Sequence, residues 1–214
     1  MKKVLISPRA RAEYIDAFRT IAERIAATLA DAPVRLLPIK MIVAGGAAMH
    51  FYAGARVSHD IDAVFSRRLA LPEGPEVSYR DADGAARHLY FDTQYNDSFG
   101  LLHEDAHDGA LALDLPGFDS ARLLILMLAP IDLAVSKIAR FGEQDRSDII
   151  ALAKLGRVTA TALRKRAEEA LGGYVGDLNR VRLSIDLACK LVDAVVAPTA
   201  AKRTGSGQSL KKRR

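Results

Sequence analysis

The sequence contains a single cysteine and few aromatic residues, which make up 6% of the chain. One cysteine, Cys189, excludes an intrachain disulfide framework and favours a cytoplasmic location. The longest uninterrupted apolar run, residues 123–131, is far too short to span a membrane, so no membrane association is expected. The charged start of the chain is followed by no adequate apolar stretch or cleavage site, so no signal peptide is expected either.

Acidic residues are absent from residues 198–214, which carry six basic residues. The formal net charge of the chain is +5, so the remainder, with 25 basic and 26 acidic residues, has a net charge of −1. We therefore expect a nearly neutral folded body and a disordered basic tail over residues 198–214. Such a tail more often aids solubility than binds nucleic acid.

The most informative stretch is residues 42–65, which read IVAGGAAMHFYAGARVSHDIDAVF. The pattern predicts a buried strand, a glycine pair at Gly45 and Gly46, a short helix, a basic turn and a second strand. Because side chains alternate along a strand, Asp60 and Asp62 are expected on one face and Ile61 on the other.

Two carboxylates side by side repel each other, and a divalent cation between them relieves that repulsion. Hard cations such as Mg²⁺ prefer oxygen ligands. The glycine pair presents backbone N–H groups at a helix start, where an anionic phosphate is favoured. A metal site beside a phosphate cradle is the minimum required for phosphoryl or nucleotidyl transfer.

The remaining patterns predict strands and helices that together indicate an α+β fold with a helical C-terminal part. Ser7 and Pro8 are expected to begin the first helix, and Asp145 to cap a later one. Further strands are expected at residues 40–44, 59–65, 77–79, 88–91 and 123–128. Helices are expected at residues 47–52, 100–113, 130–141, 146–155, 160–171 and 178–196. The expected divisions are an N-terminal helix (1–37), a catalytic core (38–155), C-terminal helices (156–197) and the basic tail (198–214).

Two motifs in this order resemble the nucleotidyltransferase superfamily of the DNA polymerase β type. The first is Gly45-Gly46, thirteen intervening residues and Asp60-Ile61-Asp62, preceded by Arg56-Val57-Ser58. The second is PIDLAVSKIARFGEQDRSDIIAL at residues 130–152. The combination is similar to the AbiEii-type toxin nucleotidyltransferases and their uncharacterised relatives, over about residues 38–155.

The resemblance implies a role for each motif residue. Asp60 and Asp62 would bind Mg²⁺ or Mn²⁺. The nucleotide-binding set would hold the NTP from both sides of the cleft and comprises Gly45, Gly46, Arg56, Ser58, Lys137, Arg140, Asp145, Arg146 and Asp148. Lys137 and Arg140 are expected on one face of a helix, with Lys137 contacting phosphate.

The resemblance also requires a third carboxylate on a neighbouring strand, and the sequence leaves its identity open. Asp92, at the end of an apolar strand, is the first choice, Asp114 the second and Asp97 the third. A further departure is Ala47, because a serine is common at that position in the superfamily.

The expected function is transfer of NMP from an NTP to an RNA acceptor such as tRNA, to a protein or to a small molecule. The resemblance suggests the toxin of a toxin–antitoxin or phage-defence pair, with an antitoxin protein as partner. One alternative is a catalytically inactive nucleotidyltransferase-like binding module. A remote alternative is a zinc protease, because residues 103–107 (HEDAH) match H-E-x-x-H. Charged residues around that segment and the lack of a downstream acidic ligand argue against it.

Overall fold

The computed structural model describes residues 2–54, 56–71, 75–98 and 100–201, with side chains described as far as residue 196. The strands are β1 (Ile39–Val43), β2 (Asp60–Ile61), β3 (Ala63–Phe65), β4 (Glu76–Arg80), β5 (Ala86–Phe91), β6 (Leu111–Ala112) and β7 (Leu123–Met127). The α-helices are α1 (Ala12–Ala27), α2 (Gly45–Ala53), α3 (Pro130–Ser136), α4 (Glu143–Lys154), α5 (Ala160–Ala170) and α6 (Leu178–Ala201). The expectation of an α+β fold is confirmed.

The strands form two small sheets. The larger has the order β3-β1-β7-β6, and β1 pairs in parallel with β7 and antiparallel with β3. The smaller has the order β2-β5-β4, with β2 parallel to β5. The apolar residues of β1 and β7 are buried almost throughout, as expected for central strands covered by helices on their faces.

The segment predicted as one strand over residues 59–65 is divided between the two sheets. Asp60 and Ile61 belong to β2, residues 63–65 form β3, and Asp62 lies between them. The backbone carbonyl of Asp62 accepts a hydrogen bond from Ala44 N (2.8 Å), which ties this junction to the end of β1. The division places Asp62 where the two sheets and the start of α2 meet.

The N-terminal helix begins later than the sequence pattern predicts. Ser7 opens a turn in which the backbone N–H of Ala10 bonds to the Ser7 carbonyl, and α1 starts at Ala12. Tyr14, Phe18 and Ile21, which recur at three- and four-residue steps, are fully buried and form the face of α1 that packs on the core.

Three other helix predictions are wrong. Residues 104–109 form turns that are followed by the short strand β6, so the helix expected at residues 100–113 is not present. The helix after Pro130 ends at Ser136, and residues 137–140 form a turn, so Lys137 and Arg140 do not share a helix face. Asp145 is not the cap of α4 but lies within its first turn, where its carboxylate accepts from the backbone N–H of Gly142.

The C-terminal helices α4 and α5 each pack against α6. Cys189 on α6 is buried in this core. Helix α6 continues to Ala201, past residue 197 where the tail was expected to follow, and residues 202–214 lie outside the described residues. Across the part of the chain that is described, no helix has the length and apolarity needed to cross a membrane.

Candidate active site

The two carboxylates of the DID motif lie on the exposed side of their strand. Asp60 and Asp62 are partly exposed, whereas Ile61 between them is completely buried. The hydroxyl of the buried Ser58 donates a hydrogen bond to Asp60 Oδ1 (2.5 Å). The alternation predicted for a single strand thus persists across the junction of β2 and β3, and Ser58 orients Asp60.

Asp62 is held in an unfavourable electrostatic position. Partial burial, the neighbouring Asp60 and the more distant Asp92 together raise the pKa of Asp62 to about 6, against the opposing effect of Lys137 and Arg140. Among the described residues, no side chain or backbone group forms a hydrogen bond or ion pair with its carboxylate. A partly desolvated carboxylate beside a second carboxylate is stabilised when a cation binds between them.

The glycine turn is in close contact with this carboxylate. Gly45 has a φ of +57°, and a Cβ atom placed on it would lie 1.8 Å from Asp62 Oδ2. A Cβ atom on Gly46 would lie 2.4 Å from the hydroxyl of Ser58. Only glycine fits at either position, so the start of α2 presents bare backbone directly against the acidic strand.

A buried carboxylate on α4 holds two cations of the site. Asp148 Oδ2 lies 3.3 Å from the Arg56 guanidinium and 3.5 Å from Lys137 Nζ. Gln144 donates a third contact to Asp148 Oδ1 at 3.0 Å. Lys137 and Asp148 are both buried, so this network links the basic turn before β2 to the end of α3 and to α4.

A second buried carboxylate fixes Arg140. Asp145 accepts two hydrogen bonds from the Arg140 guanidinium, both at 2.7 Å, and a third from Gly142 N at 2.9 Å. Burial opposes the charged form, but these hydrogen bonds outweigh it and hold the pKa of Asp145 below its usual range. Arg140 is thereby held by α4 in a defined orientation.

Gly45, Asp62, Lys137 and Arg140 line one cavity of about 450 Å³. Other polar side chains complete its wall: Tyr95, Asn96, Asp97, His107, Ser136, Tyr174 and Arg180. Ser136 ends α3, Arg180 belongs to α6 and the others come from loops. No local sequence signal marks Tyr95, Asn96, Tyr174 or Arg180. The cavity therefore combines Asp62, a bare helix start and basic side chains, whereas Asp60 is not part of its wall.

The three candidates for the third carboxylate have different surroundings. Asp92 follows β5 directly beside the junction that carries Asp62, and its backbone N–H bonds to the carbonyl of Ile61 (3.1 Å). Asp97 lines the cavity and is hydrogen-bonded to His107. Asp114 forms an exposed ion pair with Lys3 and is not part of the cavity wall.

Two sequence-based suggestions find no support in this geometry. The guanidinium of Arg146 lies over the ring of Phe141, 5.7 Å from its centroid, and does not line the cavity. The HEDAH segment is not helical, so His103 and His107 are not presented one helical turn apart as a zinc-protease motif requires. His103 is paired with Asp105 instead.

The family described as "Nucleotidyltransferase of unknown function (DUF6036)" matches residues 17–186 of the sequence. The chain belongs to this family. The nucleotidyltransferase superfamily inferred from the two motifs is thus confirmed, and the α+β fold is nucleotidyltransferase-like. Neither a curated protein nor a solved structure gives a significant match.

The carboxylate oxygens of Asp60 and Asp62 suit a hard divalent cation that also binds the substrate. Among the described residues, no three His, Cys, Asp or Glu side chains converge as a complete metal cage. Mg²⁺ in phosphoryl-transfer sites commonly takes one or two carboxylates and completes its octahedron with substrate phosphates and water. Asp60 and Asp62 fit that arrangement, since Asp62 lies against the glycine turn and no described residue bonds to its carboxylate.

Proposed function

We propose that this nucleotidyltransferase transfers NMP from an NTP to an acceptor, with Mg²⁺ or Mn²⁺ held by Asp60 and Asp62. The observation that carries the proposal is the position of Asp62. Its carboxylate has a raised pKa, contacts no cationic side chain among the described residues, and lies against the bare backbone of Gly45. A cation on the carboxylates would offset the charge repulsion at Asp62, and a triphosphate at the helix start would accept hydrogen bonds from the backbone N–H groups.

The bound cation would polarise the α-phosphate and stabilise the pyrophosphate leaving group. The residues of the chain contribute binding and orientation. The first residues of α2 offer backbone N–H groups to the phosphates, and Lys137 and Arg140 add positive charge from the opposite wall. Asp145 and Asp148 hold these cations in place and need not contact the nucleotide themselves.

Asp92 is the proposed third carboxylate. It contributes to the raised pKa of Asp62, which indicates that it lies close enough to interact electrostatically. One of its oxygens is committed to the backbone N–H of Gln94 at 2.8 Å. No described residue bonds to the other oxygen, which would orient ligands beside the pair.

The acceptor and the biological role rest on the sequence resemblance alone. On that basis, RNA such as tRNA, a protein hydroxyl and a small molecule are the acceptor classes to test. A toxin neutralised by an antitoxin protein is the corresponding role.

The test is transfer of label from each of the four α-³²P-labelled NTPs in Mg²⁺ or Mn²⁺, with total tRNA, protein and small hydroxyl compounds as acceptors. We expect transfer that Asp60→Asn and Asp62→Asn reduce by at least about 100-fold, because each removes a ligand oxygen charge. Asp114→Asn, on the exposed ion pair, is the matched control and should retain activity.

Absence of transfer with every NTP and acceptor would contradict the proposal. Metal-dependent NTP binding without transfer would instead favour the inactive binding module. The departure at Ala47, which removes one phosphate hydrogen bond, makes that alternative worth testing in the same experiment.

A further inference from the structure

One pair of cavity residues has a geometry that neither the motifs nor the metal site uses. His107 Nε2 lies 2.7 Å from Asp97 Oδ2. The His107 side chain is 39% exposed and that of Asp97 is 20% exposed. A carboxylate on one ring nitrogen fixes the tautomer and leaves the lone pair of the other nitrogen, Nδ1, available to accept a proton.

This pair lies where two cavities meet. The cavity that holds Gly45, Asp62 and Lys137 shares Asp97, Gly100, Leu102 and His107 with a second cavity of about 550 Å³. Group transfer requires a donor and an acceptor whose reacting atoms meet at a common boundary. The two cavities meet that requirement, with His107 and Asp97 on the shared wall.

We propose that the second cavity binds the acceptor and that His107 removes the proton from its hydroxyl, with Asp97 positioning the imidazole ring. This inference rests on the proposed nucleotidyl transfer. The acceptor oxygen forms a bond to the α-phosphorus of the NTP, and the bond from that phosphorus to the β-phosphate bridging oxygen breaks. Pyrophosphate leaves with the electron pair, and the hydroxyl proton moves to His107 Nδ1.

The charges around His107 suit that task. Its pKa is raised, chiefly by the hydrogen bond to Asp97 and further by the charges of Asp108 and Asp132, against the effect of partial burial. The other charged or titratable groups that line either cavity are Asp62, Tyr95, His103, Glu104, Lys137, Arg140, Glu169, Tyr174 and Arg180. The imidazolium formed in the reaction is therefore stabilised by nearby carboxylates.

The lining of the second cavity also indicates the class of acceptor. Its charged side chains are Asp97, Glu104 and Glu169, with His103 and His107, and no Lys or Arg lines it within the described residues. Such a lining repels a phosphate backbone, which nucleic-acid sites neutralise with basic side chains. The acceptor inferred is a neutral or cationic hydroxyl compound, such as an amino sugar.

The experiment measures pyrophosphate release and label transfer from α-³²P-NTP with Mg²⁺ or Mn²⁺, using amino sugars in one arm and total tRNA in the other. His107→Gln should lower kcat at pH 8 by about 100- to 10,000-fold, the usual contribution of a general base. The KM for NTP should stay within about threefold, because the donor site is intact. His88→Gln, on β5 and outside both cavities, is the matched control.

Asp97→Asn tests whether His107 transfers a proton, because a purely structural role of the pair would not change the pH profile of kcat. Removing its charge should lower the pKa of His107, followed by imidazole NMR, towards its usual value of 6.5. Because the reaction needs the neutral ring, the acidic limb of the kcat profile should move to lower pH by the same amount. In His107→Gln that limb should be absent.

Thermal unfolding of each variant identifies misfolding, and His107→Asn provides a second variant if His107→Gln is unstable. An active His107→Gln with an unchanged pH profile overturns the proton-transfer role while the proposed function stands. Labelling of tRNA alone overturns the assignment of the acceptor. Absence of any transfer by the wild-type protein overturns the proposed function, and this inference with it.

Discussion

Replacing Asp62 with asparagine should stabilise the metal-free protein while abolishing its activity. Asn has nearly the same shape as Asp but carries no charge, so it removes the repulsion from Asp60 and Asp92 and the cost of partial burial. A residue retained for function commonly costs stability in this way.

The magnitude follows from the pKa of Asp62, which rises from 3.8 to about 6. Each tenfold change in the acid dissociation constant is worth about 1.4 kcal/mol, so the full effect is about 3 kcal/mol. Solvent reaches the partly exposed carboxylate and screens its interactions, which reduces the expected gain to about 1–2 kcal/mol. For a domain of this size, that gain corresponds to an increase in Tm of about 2–8 °C.

The stability gained by Asp62→Asn over the wild type should increase as pH rises. Below the usual pKa of Asp62 the carboxyl is protonated in both the folded and the unfolded protein, so Asp62→Asn changes little. Between that value and about 6 the folded state binds a proton that the unfolded state has released, so wild-type stability falls as pH rises. Above this window the whole penalty is present, and the variant should show its full advantage.

The assay is thermal and urea-induced unfolding of the wild type and Asp62→Asn from pH 4 to pH 8 in EDTA, followed by the same series with Mn²⁺. Mn²⁺ should raise the Tm of the wild type more than that of the variant, because the variant lacks one ligand charge. Asp114→Asn removes a carboxylate whose side chain is 72% exposed and should change stability by less than about 0.5 kcal/mol.

Two results would refute the reasoning. One is an Asp62→Asn protein that is no more stable than the wild type at pH 8 in EDTA. The other is a gain of equal size at pH 4 and pH 8, which would show that the charge of Asp62 is not its source.

Gly45→Ala should abolish nucleotide binding, because the added Cβ would overlap Asp62. Gly84→Ala is the control: Gly84 has a φ of +78° with open space around it, so this substitution costs only backbone strain of about 1 kcal/mol. Titration with a fluorescent NTP measures the affinity of both variants. Equal losses of affinity would contradict the inference that overlap with Asp62 is the cause. Lys137→Ala should weaken NTP binding by at least about tenfold. Arg146 lies outside the cavity, so Arg146→Ala should change NTP binding little. A comparable loss of NTP affinity in both variants would place Arg146 in the site. Asp148→Asn should destabilise the fold by about 3 kcal/mol in urea unfolding, because two cations lose a buried partner; a neutral result would show that they have other partners.

The elements that sequence patterns predicted well are those whose cause is local. The strand–glycine–helix unit at Gly45 depends on adjacent residues, and Gly54 in the left-handed conformation ends α2. The buried strand β7 and helix α5 were also predicted, because their apolar patterns are continuous. Patterns interrupted by charge were less informative, as the turns at residues 104–109 show.

Long-range packing set the surroundings of residues that the sequence could not place. The three candidates for the third carboxylate look alike in sequence, and the pairing of β2 with β5 is what brings Asp92 beside the junction at Asp62. The turn after Ser136 brings Lys137 to Asp148, a contact that helix periodicity does not predict. The pair of His107 and Asp97 depends on two loops folding together.

The sequence by itself determined the superfamily, the α+β class and the carboxylate pair beside a glycine turn, because these follow from short-range spacing and strand alternation. Only the tertiary structure decided which side chains surround that pair. Strand register, a strand divided between two sheets and loop packing set those distances, and each depends on contacts between residues far apart in the chain.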